Sequence, residues 1–189
     1  MGERPLNAPT NRANRAVFLD RDGVLNRPVY RNGKSYPPES LKDFELLPRV
    51  AEACQKLKSK GFLLIVVTNQ PDVGRGTQRL ETVESMHLWL LQQLPLDAIE
   101  VCYDEHDSLR YKPAPGMLHA AAERLQIDLS KSFLVGDRWR DVDCGKNAGC
   151  TTFHVDHRTG EPLRSPADFT VGSLWEAATL ITQPPSQSP

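Results

Sequence analysis

The chain has 189 residues, of which 39% are hydrophobic, and a formal net charge of −1. That length and apolar content suit one domain with a full core. The near-neutral charge argues against a general nucleic-acid or membrane surface. No apolar stretch approaches the ~20 residues of a membrane span. The polar start, Met1 to Asn14, lacks the apolar core of a signal peptide, so a cytoplasmic protein is expected.

Residues 1–15 are expected to form a flexible arm. Ala16-Val-Phe-Leu19 is a short continuous apolar run, the pattern of a buried parallel strand. It ends in Asp20 and Asp22, with Gly23 directly after. Alternate side chains of an extended strand share a face. Two such carboxylates repel and call for a cation, a shared proton or both. On this fragment alone, an ordinary Asp-Gly turn accounts for the residues equally well.

Arg21 to Leu47 holds Pro28, Gly33, Pro37 and Pro38 and suits a hairpin-like flap. Pro48 to Lys60 reads as a helix closed by Gly61. Its face is formed by Val50, Ala53, Cys54 and Leu57. Phe62 begins a second apolar strand that ends in Thr68-Asn69-Gln70. A helix follows from Thr77 to about Leu94, where Pro95 stops it. Ile99 to Tyr103 is a third strand, and Pro113 to Gln126 a helix that begins just after Lys112. Phe133-Leu-Val-Gly136 is another strand, ending in Asp137, with Asp141 one helical turn further on. Cys150 to Val155, a short strand near Phe169 and a helix from Leu174 to Ile181 complete the domain, 16–182. The tail, 183–189, has the composition of a disordered segment. Alternating strands and helices argue for an α/β fold with a parallel sheet between two helical layers. Cys54, Cys102, Cys144 and Cys150 fall in predicted helices and strands and read as small apolar residues.

In chain order the strand ends carry Asp-x-Asp, Thr, Lys and Asp…Asp. This series resembles the four motifs of the haloacid dehalogenase-like phosphatase superfamily, over roughly Ala16 to Ile181. The resemblance implies a Rossmann-like three-layer sandwich, capless, with a short flap after the first strand. It also implies hydrolysis of a phosphomonoester through an aspartyl-phosphate. In that scheme Asp20 is the nucleophile and Asp22 the acid and base. Thr68 bonds a phosphoryl oxygen, and Lys112 neutralises Asp20 and the phosphoryl group. Mg²⁺ would be held by Asp20, the carbonyl of Asp22 and Asp137, with Asp141 behind them. The residue types fit: hard cations take oxygen ligands, and unit charges about 4 Å apart interact by roughly 4 kcal/mol at an effective dielectric near 20. Read singly, Thr68 is a strand-end turn residue, Lys112 a solvated helix-start lysine, and Asp141 a first-turn acid matched to the helix dipole.

Finer runs, Asp20-Arg-Asp-Gly-Val-Leu-Asn26, Val67-Thr-Asn-Gln-Pro71, Gly74-Arg-Gly76 and Lys112-Pro-Ala-Pro-Gly-Met117, resemble one branch of the superfamily. That branch holds D-glycero-D-manno-heptose 1,7-bisphosphate phosphatases and the histidinol-phosphatase domain. The resemblance places Asn69, Gln70 and Arg75 at the substrate cleft. Arg138 is a further candidate, and Arg110 stands next to Tyr111, where the branch has an arginine. Arginine forks suit a second phosphate; solvated surface roles explain the same arginines. The branch's zinc loop is absent here: Cys102 remains, but Asp104 replaces its histidine and the Cys-x-Cys pair is missing. Cys102 and His106 alone do not make a four-coordinate site, so no structural zinc is expected. Heptose bisphosphate is the expected substrate, with histidinol phosphate or another small phosphometabolite as the alternative. A polynucleotide 3′-phosphatase is disfavoured by the charge. A noncatalytic phospho-ligand module is the reading from another class, and a monomer is expected.

Overall fold

The computed structural model describes residues 13–31, 34–105, 108–158 and 161–183. Its centre is a six-stranded sheet in the order β5-β4-β1-β6-β7-β8. Here β1 is Ala16–Leu19, β4 Leu63–Asn69, β5 Ala98–Cys102, β6 Phe133–Gly136, β7 Thr151–Val155 and β8 Phe169–Val171. All five pairings are parallel.

The apolar run of β1 explains its central place. Val17 and Leu19 join one core cluster and Ala16 and Phe18 the other. Both faces of the strand are therefore sealed, as parallel sheets require. On the first face lie α1 (Val50–Ser59), α3 (Leu80–Gln93) and α6 (Leu174–Thr182), with Leu57, Met86 and Ala177 in the cluster. On the second lie α4 (Gly116–Leu125) and α5 (Trp139–Asn147), through Met117, Leu118 and Cys144. The three-layer α/β sandwich expected from the sequence is the observed fold.

Chain order reverses at β1: β4 and β5 run to one side, β6, β7 and β8 to the other. Ligands of open α/β sheets bind at the carboxyl ends of strands at such a switch point. Asp20, Thr68 and Asp137 all stand there.

The flap is a two-stranded antiparallel hairpin, β2 (Val29–Arg31) with β3 (Lys34–Tyr36). Its tip, residues 32 and 33, lies outside the described residues, as do 1–12 of the expected arm and 184–189 of the expected tail. Asn14 is already anchored: its N–H donates to Gln126 O at 2.8 Å and its carbonyl accepts from Asp128 N at 2.9 Å. A four-residue helix, α2 (Pro71–Gly74), directly follows β4. The sequence reading did not separate it, because Gly74 and Gly76 mask so short a turn. All four cysteines are buried and free, and burial pushes the thiols of Cys54, Cys144 and Cys150 up to about 12.

Candidate active site

A cleft of about 310 Å³ opens over the carboxyl ends of β1, β4 and β6. Asp20 and Lys112 form its floor, both buried. The Lys112 ammonium donates to Asp20 Oδ1 at 2.7 Å, to Asp141 Oδ1 at 2.5 Å and to Val67 O at 2.9 Å. All three of its protons are thus used. Burial alone would lower the Lys112 pKa, but Asp141 and Asp20 raise it, so the lysine stays charged.

One lysine does not balance this corner. Asp20, Asp137 and Asp141 each offer an oxygen within 4.8 Å of the others. Burial pushes Asp20 up to about 6, with Lys112 opposing and Asp141 adding to the rise. Asp137 is raised well above the carboxylate range by burial, then by Asp20 and Asp141. Its Oδ1 is buried without a hydrogen-bond partner. Asp141 is different, since Oδ1 takes Lys112 and Oδ2 takes the Arg138 N–H at 3.0 Å. A hard cation fits the remaining oxygens, and Asp141 reads as the group that holds Lys112 and the first turn of α5.

Gly23 has a structural reason to follow Asp22. Its φ is +93°, and a Cβ there would stand 2.2 Å from Asp137 Oδ2. The glycine lets the β1 loop close over Asp137. Two histidines brace the same corner: His154 Nε2 lies 3.1 Å from Asp137 O and His157 Nε2 2.6 Å from Gly23 O.

Asp22 is held apart from this cluster. Its Oδ2 accepts from Arg21 Nε at 3.1 Å, Arg21 Nη2 at 2.8 Å and Gln70 Nε2 at 2.9 Å. Its Oδ1 accepts from Asn26 Nδ2 at 2.9 Å. Burial alone would raise its pKa, but Arg21 and the bonds from Asn26, Arg21 and Gln70 outweigh burial and hold it below the usual carboxylate range.

The remaining sequence candidates divide. Thr68 is buried in the cleft wall, and its Oγ1 accepts from Gln70 Nε2 at 2.9 Å. That bond leaves the hydroxyl proton for a ligand. Gln70 itself is a correction: it is buried and ties Thr68 to Asp22, so its amide is spent inside the wall. Asn69 lines the cleft, yet its side chain clamps the backbone of Lys112, donating to its carbonyl at 3.1 Å and accepting its N–H at 3.0 Å. Arg75 and Arg138 line the mouth of the cleft. Arg110 is the second correction. Its guanidinium bonds Glu100 at 2.7 Å, which also takes Arg124 at 2.5 Å, and it is absent from the cleft lining. A buried Glu100 on β5 draws it away. His106 lies outside the described residues.

The sequence reading missed Arg140, which lines the mouth and stacks on Trp139 at 4.5 Å, and Tyr36 from the flap. It also missed Arg21 and His87. A charged residue set between two aspartates at the end of an apolar strand was a signal for Arg21. Nothing local marks His87.

The family model for haloacid dehalogenase-like hydrolases matches residues 38–149. The D-glycero-alpha-D-manno-heptose-1,7-bisphosphate 7-phosphatase of Burkholderia mallei is 33% identical over 186 residues, covering 90% of this chain and 95% of the relative. The D-glycero-beta-D-manno-heptose-1,7-bisphosphate 7-phosphatase of Escherichia coli K12 is 33% identical over 192 residues, covering 91% and 97%. Among solved structures, D,D-heptose 1,7-bisphosphate phosphatase from B. bronchiseptica, complexed with magnesium and phosphate, superimposes with a TM-score of 0.73. It is 27% identical and covers 88% of this chain and 97% of that one.

Proposed function

The chain belongs to the haloacid dehalogenase-like hydrolase family, and we propose that it is a magnesium-dependent phosphatase that removes the 7-phosphate of a heptose 1,7-bisphosphate through Asp20. The observation that carries the reading is a single lysine beside a cluster of three carboxylates, two of them buried and the third, Asp137, with an oxygen that has no hydrogen bond, at the floor of a cleft whose mouth holds arginines.

The site residues take these roles in the proposal. Asp20 attacks phosphorus; its carboxylate oxygen forms the new P–O bond as the bond to the leaving sugar oxygen breaks. A proton on Asp22 passes to that oxygen. Arrival of a phosphate dianion beside Asp22 raises its pKa and favours this protonated form. Water then attacks the aspartyl-phosphate, its proton returns to Asp22, and inorganic phosphate leaves with Asp20 restored. Lys112 keeps Asp20 oriented and faces the transferring group with positive charge. Thr68 donates its free hydroxyl proton to a phosphoryl oxygen.

Side-chain oxygens of Asp20 and Asp137 and the carbonyl of Asp22 would hold the magnesium. When bound, it supplies the positive charge that lets a phosphate dianion approach three carboxylates and that offsets charge on the phosphoryl oxygens. Arg75, Arg138 and Arg140 at the mouth suit the second phosphate of a bisphosphate. Among the described residues no helix is long and apolar enough to cross a membrane.

The test is phosphate release with Mg²⁺ from both anomers of heptose 1,7-bisphosphate and from histidinol phosphate. The expected result is a kcat/KM at least about tenfold higher for one heptose anomer than for histidinol phosphate, the size one lost charged contact gives. The reverse preference overturns the substrate while leaving the phosphatase chemistry.

A further inference from the structure

Arg21 is fully buried. A guanidinium keeps its charge in any protein setting, so burying one is costly unless its N–H groups find acceptors. Here Nε and Nη2 go to Oδ2 of Asp22 at 3.1 and 2.8 Å. The third arm, Nη1, reaches Nε2 of His87 on α3 at 3.2 Å. The Phe44 ring lies 5.6 Å from Cζ. His87 is itself buried and does not line the cleft. Burial and Arg21 push it down to about 4. At neutral pH it is therefore uncharged, and its Nε2 lone pair accepts from Arg21.

The bonds on Asp22 are lopsided. Oδ2 takes Arg21 and Gln70, whereas Oδ1 takes Asn26 alone. A proton carried by Asp22 therefore belongs on Oδ1. We propose that Arg21 and His87 are positioning residues that lock the Asp22 carboxyl by its Oδ2 and so leave Oδ1 as the proton-bearing oxygen. His87 fixes the plane of the guanidinium, and the guanidinium fixes Oδ2. Without the acceptor on α3, the fork is free to turn, and Asp22 to rotate its two oxygens. The inference rests on the reading of Asp22 as the acid given above.

Leaving-group dependence separates this role from mere stability. A sugar alkoxide needs a proton as it departs; p-nitrophenolate does not. With Mg²⁺ present, His87→Leu is expected to lower kcat on heptose 1,7-bisphosphate by about tenfold, a fraction of what a general acid supplies. On p-nitrophenyl phosphate the loss stays under about twofold. His87→Gln, whose amide carbonyl can accept from Nη1, recovers most of the loss. Should His87→Leu not fold, as judged by circular dichroism, His87→Asn replaces it, its amide too short to reach. Equal losses on both substrates, or no loss on the sugar phosphate, overturn the proposal. Asp22→Asn, assayed alongside, tells the two failures apart. If it discriminates between leaving groups and the His87 variants do not, only the positioning role falls. If it does not discriminate, the acid assignment falls and the inference with it.

Discussion

Asp20 and Asp22 stand two residues apart in opposite electrostatic settings. Around Asp20 three carboxylates cluster, two of them bonded to Lys112, and an oxygen of Asp137 has no hydrogen-bond partner, with Arg138 Nε 4.0 Å away. Around Asp22 one carboxylate receives a guanidinium and two amides. The first region is incomplete in charge and built to receive a cation and an anion. The second is complete in itself and built to hold one side chain still. One strand end thus supplies both a receptive half and a rigid half, as an acid–base step beside a nucleophile requires.

Breaking the rigid half should have the largest effect. Asp22→Ala removes the proton donor and leaves Arg21 buried without its counter-charge. Stability is expected to fall by about 3–5 kcal/mol, read by urea unfolding, and kcat on the sugar phosphate by ~10²–10⁴. An unchanged unfolding midpoint would show that Arg21 finds another partner.

Gly23 joins the two halves, so Gly23→Ala should disturb both. Its φ of +93° and the 2.2 Å approach to Asp137 Oδ2 predict a loss of about 1–3 kcal/mol. Weaker Mg²⁺ activation should accompany it. Wild-type Mg²⁺ dependence in this variant would mean the loop adjusts without moving Asp137.

The receptive half should respond in the opposite sense. Asp137→Asn removes a like charge, so the metal-free protein is expected to gain about 1 kcal/mol while losing activity. The pH dependence follows the same logic. The folded pKa of Asp20 is about 6, against 3.8 for the ordinary group. The folded state therefore holds its proton longer, and metal-free stability contributed by this group falls as pH rises between those values. Bound Mg²⁺ removes that loss. The Tm gain on adding it should be larger near pH ~7.5 than near ~5. Asp22, held below the ordinary range, acts the other way, and its contribution is lost only as pH falls through its folded value.

The smallest effects belong to the arginines. Arg140→Ala, at the mouth, is expected to raise KM for the bisphosphate by about tenfold. Arg110→Ala should change it less than about twofold, because its guanidinium is engaged with Glu100. Equal effects would place Arg110 in the cleft after all.

What the sequence made legible was local. The apolar run of β1, the two amides after Thr68 and the lysine before Pro113 each sit where backbone geometry sets direction, so strand ends and cleft floor were readable. Side-chain pairing between distant elements was not. Arg110 and Glu100 are ten positions apart, yet which arginine faces the cleft depends on where the β5 edge leaves its carboxylate. Gln70 looked like a cleft residue because it stands two places after Thr68, but its side-chain amide is buried between Thr68 and Asp22. His87 carries no signal of its own, because its meaning comes only from Arg21 across the layer. Pairing of this kind is set by packing, which a single sequence leaves open.

The most direct test of the central claim is phosphate release from heptose 1,7-bisphosphate with Mg²⁺ by the wild-type protein and by Asp20→Asn. Turnover by the wild type, lost in Asp20→Asn while its fold and unfolding midpoint persist, is the predicted result. Equal turnover by both proteins would contradict an Asp20 nucleophile and, with it, the division of the site drawn here.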